Sequence, residues 1–104
     1  MSTEQHEILR AKVIMETSRI LWKELQKFFA SGAAVKVSIE LDLVEVALQM
    51  HGDNKSQFEQ WLGSGLIGKV SDDLALDWLA ADAEVWAVVV SPWILVQEIK
   101  QQTL

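Results

Sequence analysis

The sequence predicts a single α+β domain with a small antiparallel or mixed sheet of three to four strands, packed with four to five helices. Its length of 104 residues fits one domain. Hydrophobic residues make up 50% of the chain, charged residues 23%, and there is one proline, which is typical of a folded chain with its own core. Stretches with helical spacing of apolar residues alternate with short stretches rich in β-branched residues.

The first 30 residues carry a helical pattern. Ser2 and Gln5 are spaced as a capping box, and Ser31-Gly32 is a typical helix end. The apolar residues before position 17 do not align with those after it, which leaves two interpretations. Either the helix breaks near Thr17-Ser18, where both residues can cap a new helix, or it is continuous and has apolar surface on two sides.

The middle of the chain alternates strand and helix. Residues 34–40 alternate apolar and polar side chains, which predicts a half-buried strand. Two further capping boxes open the helices predicted next: Asp42 with Glu45 for residues 43–51, and Asn54 with Gln57 for residues 54–62.

The last third of the chain predicts three strands around one helix. Residues 66–70 form a short strand, and Ser71 caps a helix whose first turn carries two aspartates. Val85 to Val90 lacks alternation, which predicts a central strand covered on both faces. After Ser91-Pro92, residues 93–99 are either a returning strand or a helix, and their β-branched and aromatic content favours the strand.

The net charge of −6 is unevenly distributed. Residues 1–40 hold six bases and five acids, whereas residues 41–104 hold three bases and ten acids. An acidic surface repels the phosphate backbone of nucleic acids and favours neutral or basic partners. We therefore do not expect nucleic acid as a partner.

The composition favours a cytoplasmic location without a membrane segment. There is no cysteine, which excludes disulfides, thiolate catalysis and cysteine-zinc sites. The N-terminal residues are polar and acidic, unlike a secretory signal. The longest apolar run, Val85 to Val90, is far shorter than the ~20 residues of a membrane span.

No residue is assigned a catalytic, cofactor-binding or metal-binding role. Gly63 to Gly68 matches the letters of the dinucleotide fingerprint G-x-G-x-x-G, but a predicted helix precedes it and a strand follows, the reverse of the order that a pyrophosphate site needs. His6 and His51 are the only histidines and are not spaced as zinc ligands. The clustered acids lack the spacing of a calcium loop; they are Asp72, Asp73, Asp77 and Asp82.

Five tryptophans in a chain of this length are the most unusual feature of the composition. Trp61 and Trp78 lie on apolar helix stripes and Trp86 in an apolar strand, so these three are predicted in the core. Trp22 and Trp93 are the better candidates for a surface anchor, because tryptophan is enriched where proteins contact one another, and we expect at least one of the two to be partly exposed. They are expected to bind a protein partner or to form a homodimer. The alternative is that all five tryptophans lie wholly or partly in the core.

The order of predicted elements resembles that of a winged-helix domain. Asp42 to Leu62 would be the helix-turn-helix, with the helix after Asn54 in the position of a recognition helix. That helix carries Lys55 and Glu59 and has no net charge, whereas a DNA reader needs several bases there. The element order therefore suggests a winged-helix-like domain that docks proteins rather than DNA.

Several short segments of the sequence together carry a resemblance to known proteins. They are Arg19-Ile20, Trp22-Lys23-Glu24-Leu25-Gln26, Phe28-Phe29-Ala30, Leu41 to Ala47, Lys69 to Asp72, and Trp86 to Val90 with Pro92-Trp93. Together they resemble a family of short bacterial proteins known only as a domain of unknown function. The resemblance covers nearly the whole chain. It implies a bacterial cytosolic protein and attaches no activity, cofactor or catalytic residue to it.

The sequence thus favours a bacterial, cytosolic protein-interaction module that is not an enzyme. The alternative is a nucleic-acid-binding regulator of the winged-helix type, and a small enzyme of unassigned chemistry comes third.

The charge distribution generates a prediction about nucleic acid. We expect no binding to duplex DNA at about 0.15 M salt, since even non-specific binding needs bases that neutralise phosphates. Fluorescence anisotropy with a labelled duplex measures this directly. A sub-micromolar, salt-sensitive affinity would favour the nucleic-acid-binding regulator over the protein-interaction module.

Overall fold

A computed structural model describes residues 3–99 and shows a mixed five-stranded sheet with helices on both faces. The helices are α1 (Thr3–Glu16), α2 (Gln26–Ala30), α3 (Leu43–His51), α4 (Lys55–Gly63) and α5 (Asp72–Ala80), and a 3₁₀ turn covers Trp22–Leu25. The strands are β1 (Ser18–Leu21), β2 (Ala34–Val37), β3 (Ile67–Lys69), β4 (Glu84–Val90) and β5 (Trp93–Glu98). The predicted α+β class is confirmed.

The sheet has five strands, so the prediction of three to four was wrong. The additional strand, β1, lies where the sequence suggested a helix break. The chain does leave the helical path there: α1 ends at Glu16, and the Thr17 hydroxyl donates a hydrogen bond back to the Val13 carbonyl oxygen at 2.7 Å. It then continues as a strand rather than as a newly capped helix, because β4 offers a free edge for pairing.

The strands follow the order β1-β4-β5-β2-β3. β4 and β5 form an antiparallel hairpin in which Val90 lies opposite Trp93, so residues 93–98 are the returning strand, as favoured above. β1 extends the sheet antiparallel to β4 at one edge. On the other side, β2 lies parallel to β5, with Val35 beside Leu95, and β3 completes the sheet antiparallel to β2.

Two apolar cores fill the spaces between the sheet and its helices. The first core lies on the side of α1, α3 and α4, and its buried residues include Val13, Val46, Val88 and Leu95. The second core lies on the side of the 3₁₀ turn, α2 and α5, and it includes Trp22, Trp78, Val85 and Val96. Successive residues of a strand point to opposite faces, so β4 and β5 contribute to both cores.

β4 is a central strand covered on both faces, as its lack of alternation predicted. Val85 and Ala87 are buried in the second core, and Val88 and Val90 are buried in the first. Val89 is the exception: it is 46% exposed. It lies near the hairpin end of the strand, on the face of the second core.

Trp22 was one of the two candidate surface anchors, and for this residue the interpretation was wrong. Its side chain is completely buried, and the indole Nε1 donates a hydrogen bond to the carbonyl oxygen of Ala75 in α5 at 3.1 Å. Trp78 and Phe29 contact it edge-on, with ring centroids 5.1 and 5.7 Å away. A buried indole cannot contact another chain, so Trp22 is a core residue and not a partner anchor.

Side-chain caps begin three of the helices where the sequence placed them. Asp42 accepts from the backbone N–H groups of Val44 and Glu45, Asn54 from that of Gln57, and Ser71 from that of Leu74. The proposed cap at Ser2 lies outside the described residues. The strands at 34–40 and 66–70 are shorter than predicted, at Ala34–Val37 and Ile67–Lys69.

The two faces of β4 generate a paired stability prediction. Changing Val88 to Asp should lower the free energy of unfolding by about 3 kcal/mol or more, because it buries an unpaired carboxylate. The neighbouring Val89→Asp should cost only about 1 kcal/mol, since Val89 is 46% exposed and a carboxylate at this position can reach water. Urea unfolding measures both, and equal losses would contradict the assignment of the two faces.

The buried indole generates a second prediction. Replacing Trp22 with Phe removes the hydrogen bond to Ala75 and leaves a void, so it should cost about 2 kcal/mol of unfolding free energy. The same change at Trp93, which is partly exposed, should cost less than about 1 kcal/mol. Thermal and urea unfolding check the difference, and a larger loss at Trp93 would contradict it.

Candidate protein-interaction site

An open groove lies between α4 and the tip of the β4–β5 hairpin and encloses about 520 Å³. One wall is a single face of α4, whose lining residues Lys55, Phe58, Glu59 and Leu62 follow the i, i+3, i+4, i+7 spacing of a helix. The other wall is the hairpin tip, with Val90 and Trp93. Met50, near the end of α3, also lines the groove.

The turn between α3 and α4 sets the position of the first wall. α3 ends at Gly52, and Asp53 follows with φ of 56°, in the left-handed region that aspartate tolerates better than most residues. Asn54 then caps α4, and its side-chain amide donates to the Gln49 side-chain oxygen at 2.7 Å. This exposed bond links the start of α4 to the last turn of α3.

The lining of the groove is apolar in its interior and charged at its rim. Phe58 and Met50 are half-buried because they also pack against the first core. Leu62 and Trp93 remain 46% and 40% exposed, so they present apolar surface to solvent inside the groove. The rim carries Asp53, Glu59 and Lys55, an excess of one acid. An apolar recess with a few charged groups around it is the usual form of a binding site.

Trp93 is the one predicted partner anchor that the structure leaves accessible. It belongs to the groove, whereas Trp22 lies in the second core. Of the other three tryptophans, Trp78 is buried, and Trp61 and Trp86 pack half-buried against the first core. The Arg19 guanidinium lies 5.8 Å from the centre of the Trp86 ring. Exposure of at least one of the two candidate anchors is therefore confirmed, while its binding to a partner stays a prediction.

Phe58 and Leu62 were not predicted as site residues. Of the apolar residues of this helix, only Trp61 was assigned from the sequence, to a stripe that faces the core. In the structure Trp61 and Phe58 are partly buried against the first core, while Leu62 is exposed and lines the groove beside the hairpin. The signal that could have found them is the width of the stripe, since a stripe wider than its neighbours can cover leaves one edge exposed.

A second cleft, of about 360 Å³, lies beside β2 and β3. Its lining includes Lys36, Lys69 and Glu98, together with two glycines of the G-x-G-x-x-G match, Gly65 and Gly68. The order around these glycines is α4 before and β3 after, as the sequence predicted and opposite to a dinucleotide site. The residues here do not form a phosphate cradle at a strand-to-helix turn.

The titratable side chains are dispersed over the surface. Among residues 3–99, no three His, Asp or Glu side chains are close enough to share a metal ion. His6 and His51 are exposed and lie in different helices. Of the clustered acids, Asp82 is 3.7 Å from the Lys23 ammonium group, and Asp72, Asp73 and Asp77 are exposed on α5.

α3 and α4 occupy the residues predicted as a helix-turn-helix. They form part of a helical layer on a five-stranded sheet, and the exposed residues of α4 include Lys55, Glu59 and Gln60. Within the described part of the chain, no helix combines the length and the apolar character that crossing a membrane requires.

The chain was compared with known proteins. The solution NMR structure of PA1075 from Pseudomonas aeruginosa matches with a TM-score of 0.79 and 47% sequence identity, over 100% of this chain and 97% of the other. No curated protein matches the chain. The model of the family described as "Protein of unknown function (DUF2288)" matches residues 8–98, which include both walls of the groove. The predicted resemblance is confirmed: the chain belongs to the DUF2288 family.

Proposed function

We propose that the protein is a non-enzymatic interaction module of the bacterial cytoplasm, and that the groove between α4 and the hairpin binds an apolar, basic-flanked segment of another protein. The observation that carries the proposal is the joint exposure of Leu62 and Trp93 inside one concave site. The 47% identity to a Pseudomonas aeruginosa protein supports a bacterial origin, and a chain without cysteine is compatible with the reducing cytoplasm.

The size and shape of the groove suit a few side chains of a peptide segment. A volume of about 520 Å³ falls within the ~300–1,000 Å³ range of sites that enclose a small ligand. One wall is a helix face and the other a hairpin tip, and the groove between them is open to solvent. A short amphipathic helix that places two or three apolar side chains in such a groove is a common mode of peptide binding.

The charge around the groove selects the flanking residues of the partner. The rim carries Asp53 and Glu59 against Lys55, and the whole chain carries −6. A segment with Lys or Arg beside its apolar residues gains attraction at the rim and in the long-range field of the protein. An acidic segment meets repulsion from both.

Photo-cross-linking in the native host tests the proposal. A photoreactive amino acid at position 62 should form an adduct with one defined protein, through a peptide that is apolar and carries basic residues. The matched control is position 79, because Leu79 is also a helical leucine, is 44% exposed against 46% for Leu62, and lies on α5. Position 79 should not form that adduct.

Purified proteins then give the energetic test. With the cross-linked partner, Trp93→Ala should raise the Kd by about 30-fold or more, as expected for a tryptophan anchor, and Leu62→Ala by about 10-fold. Leu79→Ala should leave the Kd within about twofold.

Three outcomes would contradict the proposal. The first is equal adducts at positions 62 and 79, and the second is no adduct at position 62. The third is an adduct through an acidic segment, which would remove the charge argument. Adducts of the chain with itself at position 62 would replace the partner by a second copy.

A further inference from the structure

A network of hydrogen-bonded side chains, the α1–α4 network, connects α1 through α3 to the start of α4; its members are Arg10, Glu45, Gln49 and Asn54. Arg10 donates to one Glu45 oxygen at 3.3 Å, and the Gln49 amide nitrogen donates to the other at 3.1 Å. The Asn54 amide nitrogen donates to the Gln49 side-chain oxygen at 2.7 Å. The Asn54 oxygen accepts from the backbone N–H of Gln57 and so caps α4. Of the four members, Asn54 alone lines the groove.

The donors and acceptors of this network determine one another. A carboxylate only accepts hydrogen bonds, so Gln49 turns its NH2 group toward Glu45 and its oxygen toward Asn54. Asn54 then turns its own NH2 group toward Gln49, which leaves its oxygen for the N–H of Gln57. That orientation is the one that an N-cap requires. The acid at position 45 therefore sets the orientation of the side chain that caps α4.

The cap supports the part of the groove wall that lies nearest to it. The first N–H groups of a helix have no partner within the helix, and loss of a capping side chain destabilises the first turn. In α4 that turn begins with Lys55, at the rim of the groove, and is closed by Phe58, whose N–H donates to the Asn54 carbonyl oxygen at 3.2 Å. The network thus ends at the turn that presents both of these lining residues.

We propose that Glu45 and Gln49 are positioning residues of the groove, which hold the Asn54 cap, and with it the first turn of α4, in the arrangement that binds the partner. This inference rests on the proposed function and adds to it two residues that do not line the groove. Both bonds to Glu45 are partly buried, whereas the Gln49–Asn54 bond is exposed. The expected effects are therefore of modest size.

A reversal of the network, with a rescue, tests its directional character. In Glu45→Lys the side chain at position 45 only donates, so Gln49 reverses and its NH2 group meets that of Asn54, which loses the cap. Adding Asn54→Asp restores the cap, because aspartate only accepts and is as good an N-cap as asparagine. Asn54→Asp should therefore be tolerated about fivefold better in the Glu45→Lys background than in the natural chain, measured as the unfolding equilibrium constant in urea titrations.

The same cycle in a Gln49→Ala background separates the network from simple attraction between the two introduced charges. Alanine at position 49 removes the amide that connects Glu45 to Asn54. The coupling between positions 45 and 54 should then fall to less than about twofold. Attraction between the charges does not need that amide and would leave the coupling in place.

Affinity for the protein that cross-links at position 62 measures the consequence for the groove. Glu45→Lys should raise the Kd by about fivefold more than Glu84→Lys does. Glu84 is the matched control, because both acids are 45% exposed and pair with an arginine, at 3.3 and 3.2 Å. The two changes alter the net charge equally, so the long-range attraction to a basic segment falls in both. Gln49→Ala repeats the test without a charge change if Glu45→Lys does not fold.

Independent effects of Glu45→Lys and Asn54→Asp on unfolding would overturn the inference whatever the groove binds, because the cycle needs no partner. A coupling that persists in the Gln49→Ala background would overturn it too. Equal effects of Glu45→Lys and Glu84→Lys on the Kd would remove the positioning role. The absence of any adduct at position 62 contradicts the proposed function instead, and it leaves the result of the unfolding cycle unchanged.

Discussion

The β4–β5 hairpin is the constraint on which the rest of the structure depends. Its strands point apolar side chains to both faces: Val85 and Val96 to one side, Val88 and Leu95 to the other. A sheet of this kind is stable in water only when both faces are covered. The helices are therefore divided between two layers, with α1, α3 and α4 over one face and the 3₁₀ turn, α2 and α5 over the other.

The same constraint explains why the hairpin tip carries exposed apolar surface. The two helical layers cover the middle of the hairpin, where β1 and β2 flank it. They leave the hairpin tip partly uncovered. Val89 is exposed there on one face, and Trp93 is partly exposed on the other. Of these two residues, only Trp93 faces a second element across a groove, because α4, which follows the turn after α3, lies beside it. A groove forms on that face, and a single exposed valine remains on the opposite one.

Features that depend on contacts between residues close in the sequence could be predicted. Features that depend on contacts between residues far apart in the sequence could not. The caps at Asp42, Asn54 and Ser71 were predictable because each side chain bonds backbone two or three residues away. β1 was not, because it is a strand only through pairing with β4, some 65 residues later. Trp22 was misplaced for the same reason: its indole is buried by α5, which the local pattern around residue 22 does not contain.

Trp93 is the one residue of the candidate site that could be predicted from the sequence. Trp93 follows a proline at a chain corner, and a large ring at such a position is difficult to cover from both sides. Leu62 and Phe58 join it only once the hairpin and α4 lie side by side, an arrangement that follows from the packing of the whole first core. Helical spacing could show that α4 has an apolar stripe, but not which edge of that stripe stays in water.

The parallel pairing of β2 with β5 has a consequence for the way the chain emerges during synthesis. β2 spans residues 34–37 and β5 spans residues 93–98, and β5 separates β2 from the β4 side of the sheet. Until β5 has left the ribosome, β2 and β3 form only an isolated two-stranded ribbon, which is at best marginally stable in water. The five-stranded sheet can therefore be completed only after β5, its last strand in the sequence, has been translated.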